Sequence, residues 1–155
     1  MISFNGEYEC RLDDKGRVKI PSGLLKQLPS EAKENFFVNR GFEHCLILYP
    51  KSEWQNIIAE INKLNSFNEK TRKFRRYFYR GATELTLDSS DRILLPKQLF
   101  EWANIDKDIT LFAHTNMVEI WDSNTYKTLL DDDPINYSEL GEQVMGNINK
   151  NAEGN

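Results

Sequence analysis

Residues 6–25 (GEYECRLDDKGRVKIPSGLL) are similar in sequence to residues 81–100 (GATELTLDSSDRILLPKQLF), which lie 75 positions later. The two stretches align without a gap and are identical at Gly6/Gly81, Glu9/Glu84, Leu12/Leu87, Asp13/Asp88, Arg17/Arg92, Pro21/Pro96 and Leu24/Leu99. Self-similarity at a fixed offset indicates a duplicated structural unit. The chain is therefore predicted to contain two copies of one small unit.

Each copy begins with a pattern typical of two β-strands joined by a turn. Tyr8, Cys10 and Leu12 alternate with polar residues, which is the period of a half-buried strand. After a turn, a second strand follows, with Val18 matched by Ile93 in the second copy. Because neighbouring residues of a strand face opposite sides, the preceding arginines, Arg17 and Arg92, are expected to point outward.

The rest of each copy predicts short helices and two more strands. Pro21 and Pro96 suit the first turn of a helix, where no amide donor is needed. Two further apolar runs in each copy then bring the prediction to four strands per copy. Ser52 with Gln55 resembles a capping box that starts a longer helix, and Asp122 suits the start of the equivalent helix in the second copy.

Charge is strongly segregated along the chain, whose net charge is −4. Residues 70–80 hold six bases and no acid, and residues 68–79 are predicted to form a helix with one aromatic and one basic side. Residues 131–155 hold six acids and one base, and we expect a poorly packed tail with at most one helical turn. The basic helix could contact phosphates, or it could pair with acids on a neighbouring protomer.

Several classes of function find no support in the residues. Two histidines, no glycine-rich phosphate loop and no recognisable catalytic constellation argue against an enzyme, and no cofactor is expected. Cys10 and Cys45 are too few to hold a structural zinc and are predicted to be small buried residues in a reducing compartment. No apolar run is long enough to span a bilayer and no secretory signal precedes the first copy, so the expected location is the cytoplasm.

The turn between the first two strands carries the most specific chemistry. Asp13 suits the first turn position, where its carboxylate can accept a backbone amide, and Gly16 suits the fourth. The second turn starts with Asp88 but has Asp91 in place of the glycine, which predicts a more strained or differently shaped loop. A guanidinium that follows such a turn can bind a phosphate or a guanine edge. The alternative is an Arg–Asp ion pair inside each turn.

The two D-x-x-x-R…P copies, the GEYE start, the FYRGATEL junction and the LILYP pattern resemble the MraZ family over residues 1–130. The resemblance implies an α+β, mainly β fold, in which two pseudo-symmetric half-repeats form an AbrB-like swapped-hairpin (double-split) β-barrel with short peripheral helices. Together with the repeat and the charge pattern, it predicts the first half-repeat at residues 1–66, a basic connecting helix at 67–80, the second half-repeat at 81–130 and an acidic, flexible tail at 131–155.

The same resemblance implies a transcriptional regulator, expected to repress the division and cell-wall gene cluster. It would bind direct repeats in double-stranded promoter DNA as a closed homo-oligomeric ring at the nucleoid, with no small-molecule substrate. The implied DNA contacts are Lys15, Arg17, Lys19 and Arg92, on turns formed by Asp13, Gly16, Asp88 and Asp91. Further phosphate contacts are predicted at Arg72, Lys73, Arg75 and Arg76. The second turn is expected to bind DNA less well, because it has no counterpart of Lys15.

Two alternative functions stay open. The repeats could build a ring-forming assembly protein without specific DNA binding, with the arginines stabilising subunit contacts. An antitoxin-like member of the AbrB group is less favoured, because such chains usually carry one copy of the half-repeat.

Overall fold

The computed structural model describes residues 2–29, 35–132 and 136–153, with side chains in the last helix described as far as residue 146. The strands are β1 (Phe4–Arg11), β2 (Arg17–Lys19), β3 (Asn35–Arg40), β4 (Leu46–Pro50), β5 (Thr83–Thr86), β6 (Arg92–Leu94), β7 (Asp108–Thr115) and β8 (Met117–Asp122). The helices are α1 (Ser22–Leu25), α2 (Lys51–Asn62), α3 (Glu69–Tyr79), α4 (Phe100–Ala103), α5 (Ser123–Asp131) and α6 (Tyr137–Glu153), with a 3-10 turn at Lys97–Leu99. The architecture is thus mixed, mostly antiparallel strands with short helices.

Six strands form one antiparallel sheet in the order β1-β7-β8-β4-β3-β5, and β2 pairs with β6 in a separate two-stranded ribbon. The hairpin within each copy, β3–β4 or β7–β8, is extended by a strand of the other copy, since β1 pairs with β7 and β5 pairs with β3. The ribbon likewise takes one strand from each copy, with Val18 opposite Ile93. Each copy therefore keeps one strand pairing within itself, β3–β4 or β7–β8, and makes its other pairings with the other copy.

The sheet buries apolar side chains on both faces. On one face, residues such as Val38, Leu48 and Ile120 pack against Val18 and Ile93 of the ribbon. On the opposite face, a second apolar cluster is centred on Trp54 of α2 and Trp121 of β8, with α3 packed against it. The ribbon and helices α2 and α3 therefore lie on opposite sides of the sheet.

The sequence predicted four strands per copy, and the structure confirms them. Asp122 is also confirmed as the cap of α5, where its carboxylate accepts the Thr125 amide at 3.1 Å. The capping box at Ser52 was wrong, since α2 begins at Lys51 after Pro50 and no side chain caps it. Proline fixes the backbone angle that the start of a helix requires, and so it sets this boundary without a capping side chain.

The acidic segment departs furthest from expectation. At most one helical turn was predicted there, whereas α6 runs from Tyr137 to Glu153. Its side chains from Tyr137 to Met145 are exposed, so the residues that the structure describes do not cover this part of the helix.

Candidate nucleic-acid interface

The two repeated turns have the same backbone geometry. In the first, the Asp13 carbonyl accepts the Gly16 amide at 3.0 Å, and the Asp13 carboxylate accepts the amides of Lys15 and Arg17 at 3.0 and 2.8 Å. In the second, the Asp88 carbonyl and carboxylate accept the equivalent amides at distances between 2.8 and 3.0 Å. The aspartate that begins each turn thus holds its shape, as the sequence predicted.

Gly16 and Asp91 occupy the same unusual backbone conformation. Gly16 has φ +86° and Asp91 has φ +59°, in the left-handed region that side chains disfavour. The second turn is therefore strained at Asp91 but not differently shaped. The sequence left both outcomes open, and the hydrogen bonds made by Asp88 account for the retained shape.

Each turn arginine forms an ion pair with the aspartate of its own turn. Arg17 Nε lies 2.6 Å from Asp13 Oδ2, and Arg92 Nε lies 2.9 Å from Asp88 Oδ2. The arginine side chains remain 30% and 35% exposed, and their Nη groups form no hydrogen bond to any residue that the structure describes. The ion pair therefore fixes one edge of each guanidinium and leaves the other edge available for a ligand.

The same contacts hold the pKa of both turn carboxyls below the usual range. For Asp13 the main cause is the hydrogen bond from the Arg17 amide, and partial desolvation opposes it. For Asp88 the main cause is the hydrogen bond from the Arg92 amide. Both aspartates are thus ionised at neutral pH and able to orient their arginines.

The ribbon of β2 and β6 presents a continuous outer face. Val18 and Ile93 point inward and are 1% exposed, so Arg17, Lys19, Arg92 and Leu94 share the opposite face. Lys19 lies directly across from Arg92, and Arg17 lies across from Leu94. The structure therefore brings the predicted arginines and lysines of the two copies together on one surface.

The two ends of this surface differ in charge. Residues 13–19 carry three bases and two acids, whereas residues 88–94 carry one base and two acids. Sequence reasoning missed Leu94, which is 54% exposed at the position equivalent to Lys19 in the other copy. The repeat could have revealed this residue, because the offset of 75 places the leucine where the first copy has a cation. The first copy thus supplies most of the positive charge.

The cations of α3 lie away from the ribbon, on the helix layer of the sheet. Phe78 of α3 stacks on Trp54, and its carbonyl accepts a hydrogen bond from the Asn39 side chain at 2.7 Å. Arg75 binds the carbonyls of Ile61 and Leu64 at the end of α2, both at 2.9 Å. The Arg75 side chain therefore links α3 to the end of α2.

The other predicted cations of α3 have fewer contacts. Arg72 donates to the Ser66 carbonyl at 3.1 Å, and Lys73 and Arg76 are exposed. The structure thus separates these residues from the ribbon instead of joining them to its surface.

Cys45 is buried among aromatic side chains, as predicted for a core cysteine. Burial is the main reason that the pKa of its thiol rises to about 12, so the thiol is protonated at neutral pH. Cys10, predicted to be buried as well, is only half-buried. Within the described ranges, no group of His, Cys, Asp and Glu is arranged to hold a metal ion, and no helix is long and apolar enough to cross a membrane.

The sequence of the chain matches known proteins over almost its whole length. A family described as "MraZ protein, putative antitoxin-like" matches residues 3–77 and, a second time, residues 78–145. Among curated relatives, "Transcriptional regulator MraZ" of Flavobacterium psychrophilum is 41% identical over 155 residues, covering 99% of each chain. The proteins of the same name from Christiangramia forsetii and Cytophaga hutchinsonii are 41% and 39% identical, covering 95% of this chain and 96% and 97% of their own.

Proposed function

Because this chain belongs to the MraZ family, we propose that it is a DNA-binding transcriptional regulator whose ribbon of β2 and β6 faces the duplex. It is a regulator and not an enzyme, as its relatives are named. The observation that carries the proposal is the shared outer face of the ribbon, where Arg17, Lys19 and Arg92 lie together. A two-stranded β-ribbon fits the major groove of B-DNA, and arginine can bind guanine there with two hydrogen bonds.

The ion pairs inside the turns support this role. An arginine held by a carboxylate on one edge loses less conformational freedom when its other edge binds a base or a phosphate. Asp13 and Asp88 therefore act as positioning residues that aim Arg17 and Arg92. Lys15 adds a flexible cation at the tip of the first turn.

The charge balance explains why one copy of the chain would bind DNA weakly. The two turns and the ribbon carry four cations (Lys15, Arg17, Lys19 and Arg92) and four acids (Asp13, Asp14, Asp88 and Asp91), so their sum is zero. Linked binding sites can raise avidity by roughly 10²–10⁴. We therefore propose that a closed homo-oligomeric ring presents several ribbons to direct repeats in the promoter of the division and cell-wall gene cluster, at the nucleoid in the cytoplasm.

The strand pairing between the copies supports a swapped-hairpin barrel as the scaffold. Each copy lends its first strand to the hairpin of the other, through the β1–β7 and β5–β3 pairs. Such an exchange would fix the spacing of the two turns, because neither turn can move without disturbing both copies.

An Arg17→Ala variant tests the function directly. Removing a two-bond guanine contact costs about 1–3 kcal/mol, which is roughly a 5- to 150-fold decrease in affinity for the promoter duplex. Fluorescence anisotropy with the promoter repeats and with a scrambled duplex measures it. Lys127→Ala, which removes an exposed charge from the helix layer, is the control that should bind as the unaltered chain does.

The same variant separates the regulator from a pure assembly protein. A regulator with Arg17→Ala keeps its assembled mass and loses promoter binding. An assembly protein in which Arg17 stabilises subunit contacts would instead lose mass in size-exclusion chromatography. Equal binding of promoter and scrambled duplex by the unaltered chain would contradict sequence-specific regulation.

A further inference from the structure

Helix α6 carries an apolar stripe that no described part of the chain covers. Tyr137, Leu140 and Val144 follow the i, i+3, i+7 spacing of one helix face, and they are 90%, 42% and 54% exposed. Met145 extends the stripe and is also exposed. Helical stability in proteins comes mostly from packing of an amphipathic face. A helix with such a face is therefore expected to have a partner.

The described part of the chain also contains an apolar groove lined mainly by aromatic side chains. Five aromatic residues line it together with Arg40 and Gly41, namely Phe42, Phe74, Tyr77, Phe78 and Trp102. Its volume is about 440 Å³. Phe42, in the loop between β3 and β4, is 88% exposed, and Tyr77 of α3 is 55% exposed. Grooves of this kind accept an amphipathic helix through three or four anchor side chains.

Opposite charges accompany the two surfaces. The groove is lined partly by α3, whose segment 70–80 carries six bases and no acid. The segment 131–153, which contains α6, carries six acids and one base. On α6, Glu139 and Glu142 are exposed, as are Lys73 and Arg76 on α3. Complementary potentials of this kind favour the encounter of two chains.

We propose that the apolar stripe of α6 docks into the aromatic groove of a second copy of the chain. Within one chain, no α6 residue with a described side chain lines the groove. Two complementary surfaces at different places on the same chain give a head-to-tail contact, which closes into a ring when the rotation allows it. The inference rests on the proposed assembly but not on the proposed DNA contacts, and it gives α3 a role in subunit contact.

Two pairs of matched variants of the full chain test the contact. Val144→Glu places a charge in the stripe, and Gln143→Glu places the same charge on the polar face of the same helix. Phe42→Glu places a charge in the groove, and Phe67→Glu alters a phenylalanine that is 95% exposed outside the groove. All four positions are exposed, and circular dichroism checks that each variant is folded.

Light scattering after size exclusion gives the masses. We expect the unaltered chain, Gln143→Glu and Phe67→Glu to share one assembled mass, and Val144→Glu and Phe42→Glu to fall to the 18.1 kDa of a single chain. Mixing the two defective variants should then form dimers of twice that mass, because one supplies an intact helix and the other an intact groove.

The outcomes separate this inference from the function proposed above. Assembly that survives both Val144→Glu and Phe42→Glu would overturn the docking while leaving the ring intact. Single-chain mass for the mixture would place α6 in the groove of its own chain and would also overturn it. A monomeric unaltered chain would overturn both the docking and the ring. The proposed DNA contacts of the ribbon would still be tested separately by comparing the DNA affinity of Arg17→Ala with that of the unaltered chain.

Discussion

At the scale of single residues, one aspartate in each turn performs two tasks. The Asp13 carboxylate accepts the Lys15 and Arg17 amides through Oδ1, and it pairs with the Arg17 guanidinium through Oδ2. Asp88 repeats this arrangement with Ser90 and Arg92. The same side chain that holds the turn therefore also sets the direction of the arginine, so shape and charge are coupled.

The lowered pKa of Asp13 predicts a pH-dependent contribution to stability. A carboxyl whose pKa is lower in the folded than in the unfolded state stabilises the fold above its unfolded pKa, about 3.9, and loses that effect as pH falls through the folded value. Asp13→Asn should therefore lower Tm at pH 7, and the difference from the unaltered chain should shrink on acidification below about pH 4. Thermal melts followed by circular dichroism at several pH values measure it. A difference that stayed constant with pH would show that the charge has no part.

The strained residue of the second turn gives a reciprocal pair of variants. Asp91→Gly relieves the left-handed backbone and removes an acid from the surface that we propose faces DNA, so promoter affinity should rise several-fold. Gly16→Asp introduces the second-copy residue into the first turn and should lower the affinity. Anisotropy titrations of both variants at one salt concentration compare them. A change of the same sign in both would contradict the role given to these turns.

At the scale of elements, the ribbon is held by its inner face and is free to bind through its outer face. Val18 and Ile93 are buried against the sheet, and neighbours such as Leu94 are exposed. The Gly16 carbonyl accepts the Leu95 amide and the Asp91 carbonyl accepts the Ile20 amide, which extends the ladder at both ends. The ribbon is thus a rigid support although each of its strands has only three residues.

Adjacent residues of β6 should respond very differently to truncation. Ile93→Ala removes buried methyl groups beneath the ribbon and should cost about 2–5 kcal/mol of unfolding free energy. Leu94→Ala alters an exposed side chain and should change stability by no more than about 0.5 kcal/mol. Urea unfolding of the two variants provides the comparison. Similar losses for both would mean that β6 does not sit on the core as described.

At the scale of the whole molecule, the sheet separates two surfaces that each present lysine and arginine side chains. The ribbon lies on one side with Lys19, and α3 lies on the other with Lys73. A duplex seated on the ribbon of one chain is separated from α3 of that chain by the sheet. The two groups of cations are therefore expected to serve different partners.

Salt dependence can distinguish these two surfaces. The slope of log affinity against log salt concentration becomes shallower by about 0.9 for each phosphate that the protein no longer neutralises. Lys19→Gln should reduce the slope by about that amount per bound ribbon, and Lys73→Gln should leave it unchanged in a sample of the same assembled mass. Titrations between low and physiological salt measure both slopes. An equal reduction for Lys73→Gln would show that α3 also contacts DNA.

Local pattern was enough to predict the strands, the turns and the core. The period-2 alternation around Cys10 and the aspartate at the start of each turn depend on neighbouring residues only, so both could be read directly. The predicted helix start at Ser52 was wrong because the local pattern allowed several nearby residues to start the helix. In the structure the helix starts directly after Pro50. The length of α6 was underestimated because an acidic, glycine-containing segment gives a weak helical pattern.

The sequence by itself determined that this chain is a duplication with one Asp–Arg turn per copy, because identity at a constant offset is visible without coordinates. Only the tertiary structure decided that the two copies extend each other's hairpins and that Arg17, Lys19 and Arg92 share one face of a ribbon. It also decided that the cations of α3 lie behind the sheet. The physical reason is that strand pairing between distant segments is set by packing of the whole core, which no local pattern of side chains encodes.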